Sequence, residues 1–264
     1  MASKPLLITL LPSSGVDLSR WLMAHYGIDY IERPHAPIFH VLALKWWGMG
    51  PEDYPLFIQD GGKTKTYGCD KINALLQTNA LSDIHLMPDS KKDPNLVKEI
   101  NEIVAFSYEK LGGDVVNWSY WNFLKYKWVV WPSLTTNVPW WERLTCLIAF
   151  KVIRGLMYKG LKLDQGVADQ ALKDIYAGWD KLDALLADGR TYLVGDRLTY
   201  ADLATAAALG PMILAQGYHG MLPNQAKCPV FMQKVYQELR ARPTGQFIQR
   251  IYDKHRPAQL LCTA

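Results

Sequence analysis

One segment decides the fold of this chain: Leu193-Val194-Gly195-Asp196-Arg197-Leu198-Thr199-Tyr200-Ala201-Asp202-Leu203. Thr199 and Asp202 have the spacing of a capping box, in which each side chain accepts the backbone N–H of the other residue at the start of a helix. Leu198 and Leu203 flank this cap as a hydrophobic staple. Residues 204–209 are almost wholly apolar. The segment therefore predicts a capped helix that is buried in the protein.

Length and composition indicate a globular protein of one large or two ordinary domains. The chain has 264 residues, 49% of them hydrophobic and 20% charged, which excludes a disordered chain. The net charge is +4 and no Lys/Arg run exceeds Lys91-Lys92, so we expect no nucleic-acid partner. The apolar run 144–157 contains Lys151 and Arg154 and is too short for a membrane span.

Cysteine usage favours a reducing, cytoplasmic location. The cysteines have neither C-x-x-C spacing nor a Cys/His metal-binding pattern, so we expect no metal site and no disulfide framework. No secretory signal is evident, since the apolar run 5–11 is short and ends at Pro12. The four cysteines are Cys69, Cys146, Cys228 and Cys262.

The first third of the chain has an α/β pattern of thioredoxin-like plan. Short apolar or alternating runs predict strands, and a run with helical spacing follows the first strand. The segment between residues 33 and 54 contains His, Pro and Gly and predicts a loop. The expected order is strand 4–11, helix 18–26, strand 28–33, strands 54–59 and 63–67, and helix 70–79.

The rest of the chain predicts helices only. The polar, proline-bounded segment 88–94 predicts a linker, which divides the chain into domains 1–86 and 95–264 with residues 87–94 between them. The expected helices are 95–131 with a break at Gly112-Gly113, one from Pro139 to residue 158, one from Asp164 to Gly189, one capped by Thr199, and 229–240.

Gly195-Asp196 ahead of Leu198-Thr199-Tyr200-Ala201-Asp202 resembles the capping element in the helical domain of cytosolic glutathione transferases. The order of an α/β half and a helical half is similar to that family over nearly the whole chain. The resemblance implies a thioredoxin-like glutathione-binding domain, followed by an all-α domain with a hydrophobic acceptor site. It also implies glutathione as co-substrate, a homodimer and a role in detoxification.

The turn before the first helix resembles the serine-type active site of the tau and zeta transferases. Aligning Gly27-Ile28 with the family's glycine–aliphatic pair places Ser13 on the catalytic serine, with Ser14 beside it. A helix N-terminus stabilises a thiolate, and a donating hydroxyl adds to that effect. The absence of a cysteine from this turn weighs against disulfide exchange. Apart from the resemblance, both serines are also typical turn and N-cap residues.

Further residues are assigned to glutathione by the same resemblance. Tyr54-Pro55 resembles the family's cis-proline, which leaves the Tyr54 backbone free to bind a peptide. Most members carry Glu/Gln-Ser after the fourth strand, whereas this chain has Gly68-Cys69 followed by Asp70. A thiol donates more weakly than a hydroxyl and Asp70 repels a carboxylate, so this departure weakens glutathione capture. Lys45 is the candidate for the glycine carboxylate of glutathione.

Aromatic residues crowd the stretch between Tyr108 and Trp141. In the family this region forms the wall of the acceptor site, which suits an aromatic or lipid-like electrophile. The candidates are Tyr108, Trp118, Tyr120 and Trp121; the alternative is that they pack in the core.

Three functions follow from these observations. The first is a glutathione transferase-like enzyme whose thiolate attacks a bulky hydrophobic electrophile, by conjugation, ether cleavage or isomerisation. The second is a non-catalytic protein that binds a hydrophobic small molecule on the same fold. The third is a protein-interaction module. The serine turn favours the first function, and Gly68-Cys69 keeps the second open.

Overall fold

A computed structural model describes residues 4–218 and 222–256 of the chain. Cys262 and the end of the C-terminal segment lie outside the described residues.

The N-terminal half is built on a small mixed sheet in the order β2-β1-β3-β4. β1 pairs in parallel with β2 and antiparallel with β3, and β3 pairs antiparallel with β4. The parallel pair needs a crossover, which the first helix supplies. All four predicted strands form, with the bounds Leu6–Leu10 for β1, Ile31–His35 for β2, Leu56–Gln59 for β3 and Thr64–Tyr67 for β4.

Three helices cover the two faces of this sheet. The helices are α1 at Ser14–His25, α2 at Phe39–Trp46 and α3 at Cys69–Thr78. Because side chains alternate along a strand, Leu7 packs in the cluster of α1 and α3, whereas Ile8 packs against Leu44 of α2. The sequence predicted a loop where α2 forms, because its short apolar pattern of about two turns lies among His, Pro and Gly residues.

The C-terminal half is helical. Its helices are α4 at Pro94–Val104, α5 at Gly112–Phe123, α6 at Lys127–Thr135, α7 at Trp140–Gly160, α8 at Gln165–Leu186, α9 at Tyr200–Leu209, α10 at Val230–Ala241 and α11 at Pro243–His255. The four-stranded sheet with its helices and the helical half together form the arrangement that the sequence predicted, a thioredoxin-like α/β domain followed by an all-α domain. Among the described residues, no helix is long and apolar enough to cross a membrane.

The capping box that opens α9 is confirmed. The Asp202 carboxylate accepts the Thr199 N–H at 2.8 Å and the Thr199 hydroxyl at 3.0 Å. Its other oxygen accepts the N–H of Leu193 at 2.8 Å, so the same side chain also fixes the preceding loop. Every residue of α9 is buried, as the apolar run predicted.

The long helix expected from residue 95 is interrupted differently from the prediction. A π-helical segment at Ala105–Leu111 joins α4 to α5, and the glycine pair at which the break was predicted follows it directly as the first two residues of α5. A Cβ on Gly112 would lie 3.3 Å from the Cβ of Ala208, so the glycine allows α5 and α9 to approach closely. α11 was not predicted, because a proline within a helical pattern typically ends the helix, whereas Pro243 is the first residue of α11.

Candidate active site

The N-terminus of α1 lies at the junction of two cavities. Ser13 is the N-cap, and its Oγ accepts the N–H of Gly15 at 3.2 Å. Ser14 is the first residue of the helix and, like Ser13, is partly buried. Both serines line a polar cleft and also an apolar pocket. A group held at this helix end is therefore in contact with both cavities.

The polar cleft has a volume of about 530 Å³ and runs between α1, α3 and α5. The Tyr54–Pro55 peptide bond is cis, as the resemblance implied, and both residues line the cleft. The Leu11–Pro12 bond, directly before the serines, is also cis. The cleft brings together these residues proposed from the sequence: Ser13, Ser14, Tyr54, Pro55, Cys69, Asp70 and Tyr108.

The charge of the cleft is negative. Glu52, Asp70 and Glu109 line it, and its described lining contains no Lys or Arg. Backbone N–H groups at the N-termini of α1 and α3 can donate to a carboxylate in the cleft, since the first N–H groups of a helix have no partner within it. An anionic ligand would thus depend on helix termini rather than on side-chain cations.

Lys45 does not line this cleft. It lies in the last turn of α2, where it is exposed. The neighbouring Leu44 is buried against the sheet, and consecutive residues of a helix point in directions about 100° apart. Because a helix replaced the predicted loop, the residue after Leu44 is turned toward solvent.

Cys69 lies in the wall of the cleft, where it connects two helices. It is 4% exposed, and its thiol donates to the carbonyl oxygen of Gly15 at 3.2 Å. The Ser19 hydroxyl lies 3.4 Å and the Tyr108 hydroxyl 3.5 Å from the same sulfur. Burial raises the pKa of the Cys69 thiol to about 11, so the thiol is uncharged at neutral pH. The sulfur links α3 to α1 and the π-helical segment.

Two glycines shape this end of the cleft. Gly68, the N-cap of α3, has a φ of +80°, a region that L side chains rarely adopt. A Cβ on Gly15 would lie 3.1 Å from the hydroxyl of Tyr108. The missing side chain at Gly15 therefore lets Tyr108 pack against the first turn of α1. Burial raises the pKa of Tyr108 well above its usual value, so this hydroxyl stays protonated.

The apolar pocket adjoins the cleft behind the serines. It encloses about 70 Å³. Its walls come from α5, α6, α9 and the segment after α9. Besides Pro12 and the two serines, it is lined by Val115, Val116, Ser119, Tyr120, Phe123, Val130, Ser133, Ala208, Pro211, Leu214, Tyr218, Leu222 and Pro223.

Two of the four aromatic residues proposed for the acceptor wall line a cavity, and the other two do not. Tyr108 lines the cleft and Tyr120 lines the apolar pocket, where its hydroxyl donates to the carbonyl oxygen of Pro12. Trp118 is 2% exposed and packs edge-on against Tyr236 in the core. Trp121 donates from Nε1 to Gln165 at 3.0 Å and lines neither cavity. Trp118 and Trp121 are thus placed outside the acceptor wall, because they lie on other faces of α5.

Several cavity residues were missed by the sequence analysis. Gly112, Val116 and Phe123 lie on one side of α5 with spacings of four and seven residues, a helical periodicity that could have identified this wall. Tyr200, directly after the Thr199 cap, also lines the cleft. The acids Glu52 and Glu109 come from separate segments, and no local pattern marks them.

Comparison with known proteins agrees with this architecture. Residues 165–242 match the family model of the glutathione S-transferase C-terminal domain. A comparison with curated protein sequences finds no match.

Solved structures resemble the whole chain. A glutathione S-transferase from Sinorhizobium meliloti is 20% identical with a TM-score of 0.53, covering 98% of both chains. A glutathione transferase from Phanerochaete chrysosporium is 11% identical with a TM-score of 0.62, covering 98% of this chain and all of the other. A third, from Ceriporiopsis subvermispora in complex with glutathione, is 11% identical with a TM-score of 0.58, over 97% and 99% of the chains.

The α/β and helical halves match the fold of those structures, and the segment that carries the Thr199 cap lies within the matched family domain. Together these comparisons show the fold of glutathione transferases over nearly the whole chain and the C-terminal domain of that family over residues 165–242.

Proposed function

We propose that this protein is a glutathione transferase-like enzyme in which the N-terminus of α1 holds the glutathione thiolate. The observation that carries the proposal is the position of Ser13 and Ser14 at the junction of a polar cleft and an apolar pocket. A thiolate there would face an electrophile held in the pocket. The thiolate is itself the nucleophile, so no general base beside it is needed.

Ser13 is the preferred donor to the sulfur. Its oxygen already accepts the N–H of Gly15, which leaves the hydroxyl proton available to donate. The positive end of the α1 dipole acts in the same direction. Ser14, one residue on, is the second candidate, since its side chain borders the same two cavities.

The cleft can complement the two charges at the γ-glutamyl end of glutathione. The free N–H groups at the start of α3 can donate hydrogen bonds to the carboxylate, and Asp70 or Glu109 can pair with the ammonium group. The glycine carboxylate meets no cation in the described lining. We therefore expect glutathione to bind with an affinity that rises with ionic strength, because salt screens its net negative charge from the acids.

Titration of the protein with glutathione tests this proposal. One charge-assisted hydrogen bond contributes about 1.5–3 kcal/mol, so Ser13→Ala should raise the pKa of the bound thiol by about 1–2 units. Calorimetry gives the affinity, and the thiolate absorbance against pH gives the ionisation. Ser119→Ala, which changes a serine of the apolar pocket away from the α1 terminus, is the matched control. Saturable binding with unchanged thiol ionisation in both Ser13→Ala and Ser14→Ala would contradict the assigned role.

The second candidate function is storage or transport of an apolar ligand without chemistry. The negative cleft beside an almost wholly apolar pocket favours it. In that case millimolar glutathione would not bind, whereas an apolar aromatic probe would, and Val116→Glu would abolish probe binding. The homodimer remains a prediction, which sedimentation over a concentration series would test.

A further inference from the structure

The outer face of α7 is apolar along the whole helix. Trp140, Leu144, Ile148, Val152 and Leu156 repeat every four residues, so successive members lie about 40° apart around the helix and form a row that winds along its exposed side. They are 76%, 46%, 79%, 63% and 50% exposed. We refer to these five residues as the apolar stripe. A continuous row of large exposed side chains is unusual for a protein surface and marks an interaction site.

Positive charge is concentrated in the same part of the chain. Residues 124–163 contain seven of the 29 Lys and Arg residues and one of the 25 Asp and Glu residues. That single acid, Glu142, is fully buried and bound to His35. The rest of the chain is therefore net negative, and the overall +4 arises from the α6–α7 region.

A groove between α6 and α7 combines the two properties. Its volume is about 500 Å³, and no acidic residue is found in its described lining. A groove with cations beside aliphatic side chains fits the phosphate and the adjoining acyl carbons of a phospholipid. The cations are Lys125, Lys127, Lys151 and Arg154, and the apolar residues are Leu147, Ile148, Ala149, Phe150 and Val152.

The backbone of α7 is shaped at this groove. Ala149 departs from helical geometry, with φ −100° and ψ 20°. The Lys127 ammonium group donates to the carbonyl oxygen of Leu147 at 2.9 Å, which holds α6 against the irregular turn. An ammonium group has three N–H donors, so the same group can also bind an anion in the groove.

We propose that the α6–α7 region docks on the surface of a membrane that contains anionic phospholipids. α7 would lie in the plane of the interface with the apolar stripe among the upper acyl carbons, and the groove would hold a lipid phosphate. Interfacial helices combine an apolar face that includes Trp with flanking Lys and Arg. This surface lies outside the cleft and the apolar pocket, so the inference is independent of the proposed catalytic function.

Charge complementarity selects a membrane over a second copy of this chain. Face-to-face pairing of two α7 helices would bring two sets of cations together without acids to neutralise them. An anionic leaflet supplies the opposite charge and an apolar layer beneath it. The apolar stripe and the cations are thus complementary to a membrane at the same time.

Vesicle co-sedimentation of the full chain tests the proposal. Vesicles of phosphatidylcholine with 30 mol% phosphatidylserine are compared with vesicles of phosphatidylcholine alone, at low salt and in 1 M NaCl. We expect binding to the anionic vesicles at low salt, and loss of binding in 1 M NaCl, where the Debye length falls to about 3 Å. Failure of the unaltered protein to bind anionic vesicles at low salt, or equal binding to both kinds of vesicle, overturns the proposal.

Two pairs of variants localise the surface. Val152→Asp places a charge on the apolar stripe, and Val230→Asp changes a valine of similar exposure on α10 (69% against 63%). Each interfacial cation contributes about fivefold to partitioning, so Lys125→Glu with Lys151→Glu should lower binding at least about 20-fold. Lys234→Glu, on α10, serves as the charge control. An equal loss of vesicle binding in Val152→Asp and Val230→Asp would overturn the assignment of the α7 face as the docking surface.

Sedimentation velocity in the absence of lipid completes the test. A protein that associates with itself through this face, and becomes monomeric in Val152→Asp, would overturn the membrane assignment in favour of an interface between copies. An oligomeric state that is the same in Val152→Asp and in the unaltered protein supports the membrane assignment. Circular dichroism of each variant confirms that lost binding does not arise from unfolding.

Discussion

Removing the Glu142 carboxylate should lower the stability of the protein, because this carboxylate forms the contact that holds α7 against the sheet. Glu142 is fully buried. One carboxylate oxygen lies 2.6 Å from Nδ1 of His35, at the end of β2, and the other accepts the backbone N–H of Ala36 at 2.8 Å. Glu142 is separated in the sequence by 107 positions from His35 and by 106 positions from Ala36. The contact therefore connects the helical half to the α/β half.

The magnitude follows from these two contacts. Hydrogen bonds to a charged group contribute about 1.5–3 kcal/mol each, and the Ala36 N–H would be left buried without this acceptor. Breaking a buried pair by removing one partner costs about 3–5 kcal/mol. We therefore expect Glu142→Ala to lower the free energy of unfolding by about 3–5 kcal/mol. Glu142→Gln should lose about 1–2 kcal/mol, because its carbonyl can accept from Ala36 and its amide can donate to the other tautomer of His35.

Urea unfolding followed by tryptophan fluorescence and circular dichroism measures this loss. With an m-value of about 3 kcal/mol/M, Glu142→Ala should unfold at a urea concentration lower by about 1–1.7 M. Glu102→Ala on α4, which removes an exposed carboxylate paired with Lys98 at 3.8 Å, should change stability by about 0.5 kcal/mol or less. If Glu142→Ala is as stable as Glu102→Ala, the buried contact does not hold the two halves together.

Two further predictions concern close packing and thiol chemistry. Gly245→Ala should lower the free energy of unfolding by about 2–3 kcal/mol or more, because its Cβ would overlap the carbonyl oxygen of Leu239. At Gly155 a Cβ meets no atom within 4 Å, so Gly155→Ala should instead raise the free energy of unfolding by about 0.5–1 kcal/mol. Thermal unfolding in which both variants change stability in the same direction would contradict this packing argument. Cys69 should react with maleimide at pH 7.5 at least about 100-fold more slowly than a free cysteine, since it is buried and its pKa is raised to about 11. Rapid labelling of Cys69, or its glutathionylation in the folded protein, detected by mass spectrometry, would show that the thiol is accessible.

Local signals predicted the parts of the fold that depend on neighbouring residues. The Thr199–Asp202 box and the Asp164 cap were confirmed because each needs only a side chain and a backbone group three residues away. The strands followed from short apolar runs for the same reason. α2 was missed because a helix of eight residues has little periodicity of its own and is stabilised by the packing of Leu44 on the sheet.

The candidate site was harder to predict because distant segments compose it. The serine turn and the Tyr54–Pro55 bond were recognised from resemblance, and the structure brings them into one cleft. The selection of Tyr120 over Trp118 and Trp121 depends on which face of α5 meets α6 and α9, and the sequence of α5 alone does not specify that face. The orientation of Lys45 depended on an element that the sequence did not predict.

The sequence alone does not show how charge is distributed over the folded protein, and this distribution matters for both proposed ligands, glutathione and anionic lipid. A net charge of +4 gives no sign that the cleft is lined by Glu52, Asp70 and Glu109 while the groove of α6 and α7 is lined by four cations. Salt screening should therefore change the ligand affinities of the two sites in opposite directions. Raising the ionic strength weakens attraction of the groove to anionic lipid and relieves repulsion between the cleft and anionic glutathione. A single salt series on one preparation should show vesicle binding fall as glutathione affinity rises. A common direction for both would mean that at least one site binds its ligand through groups other than those assigned to it.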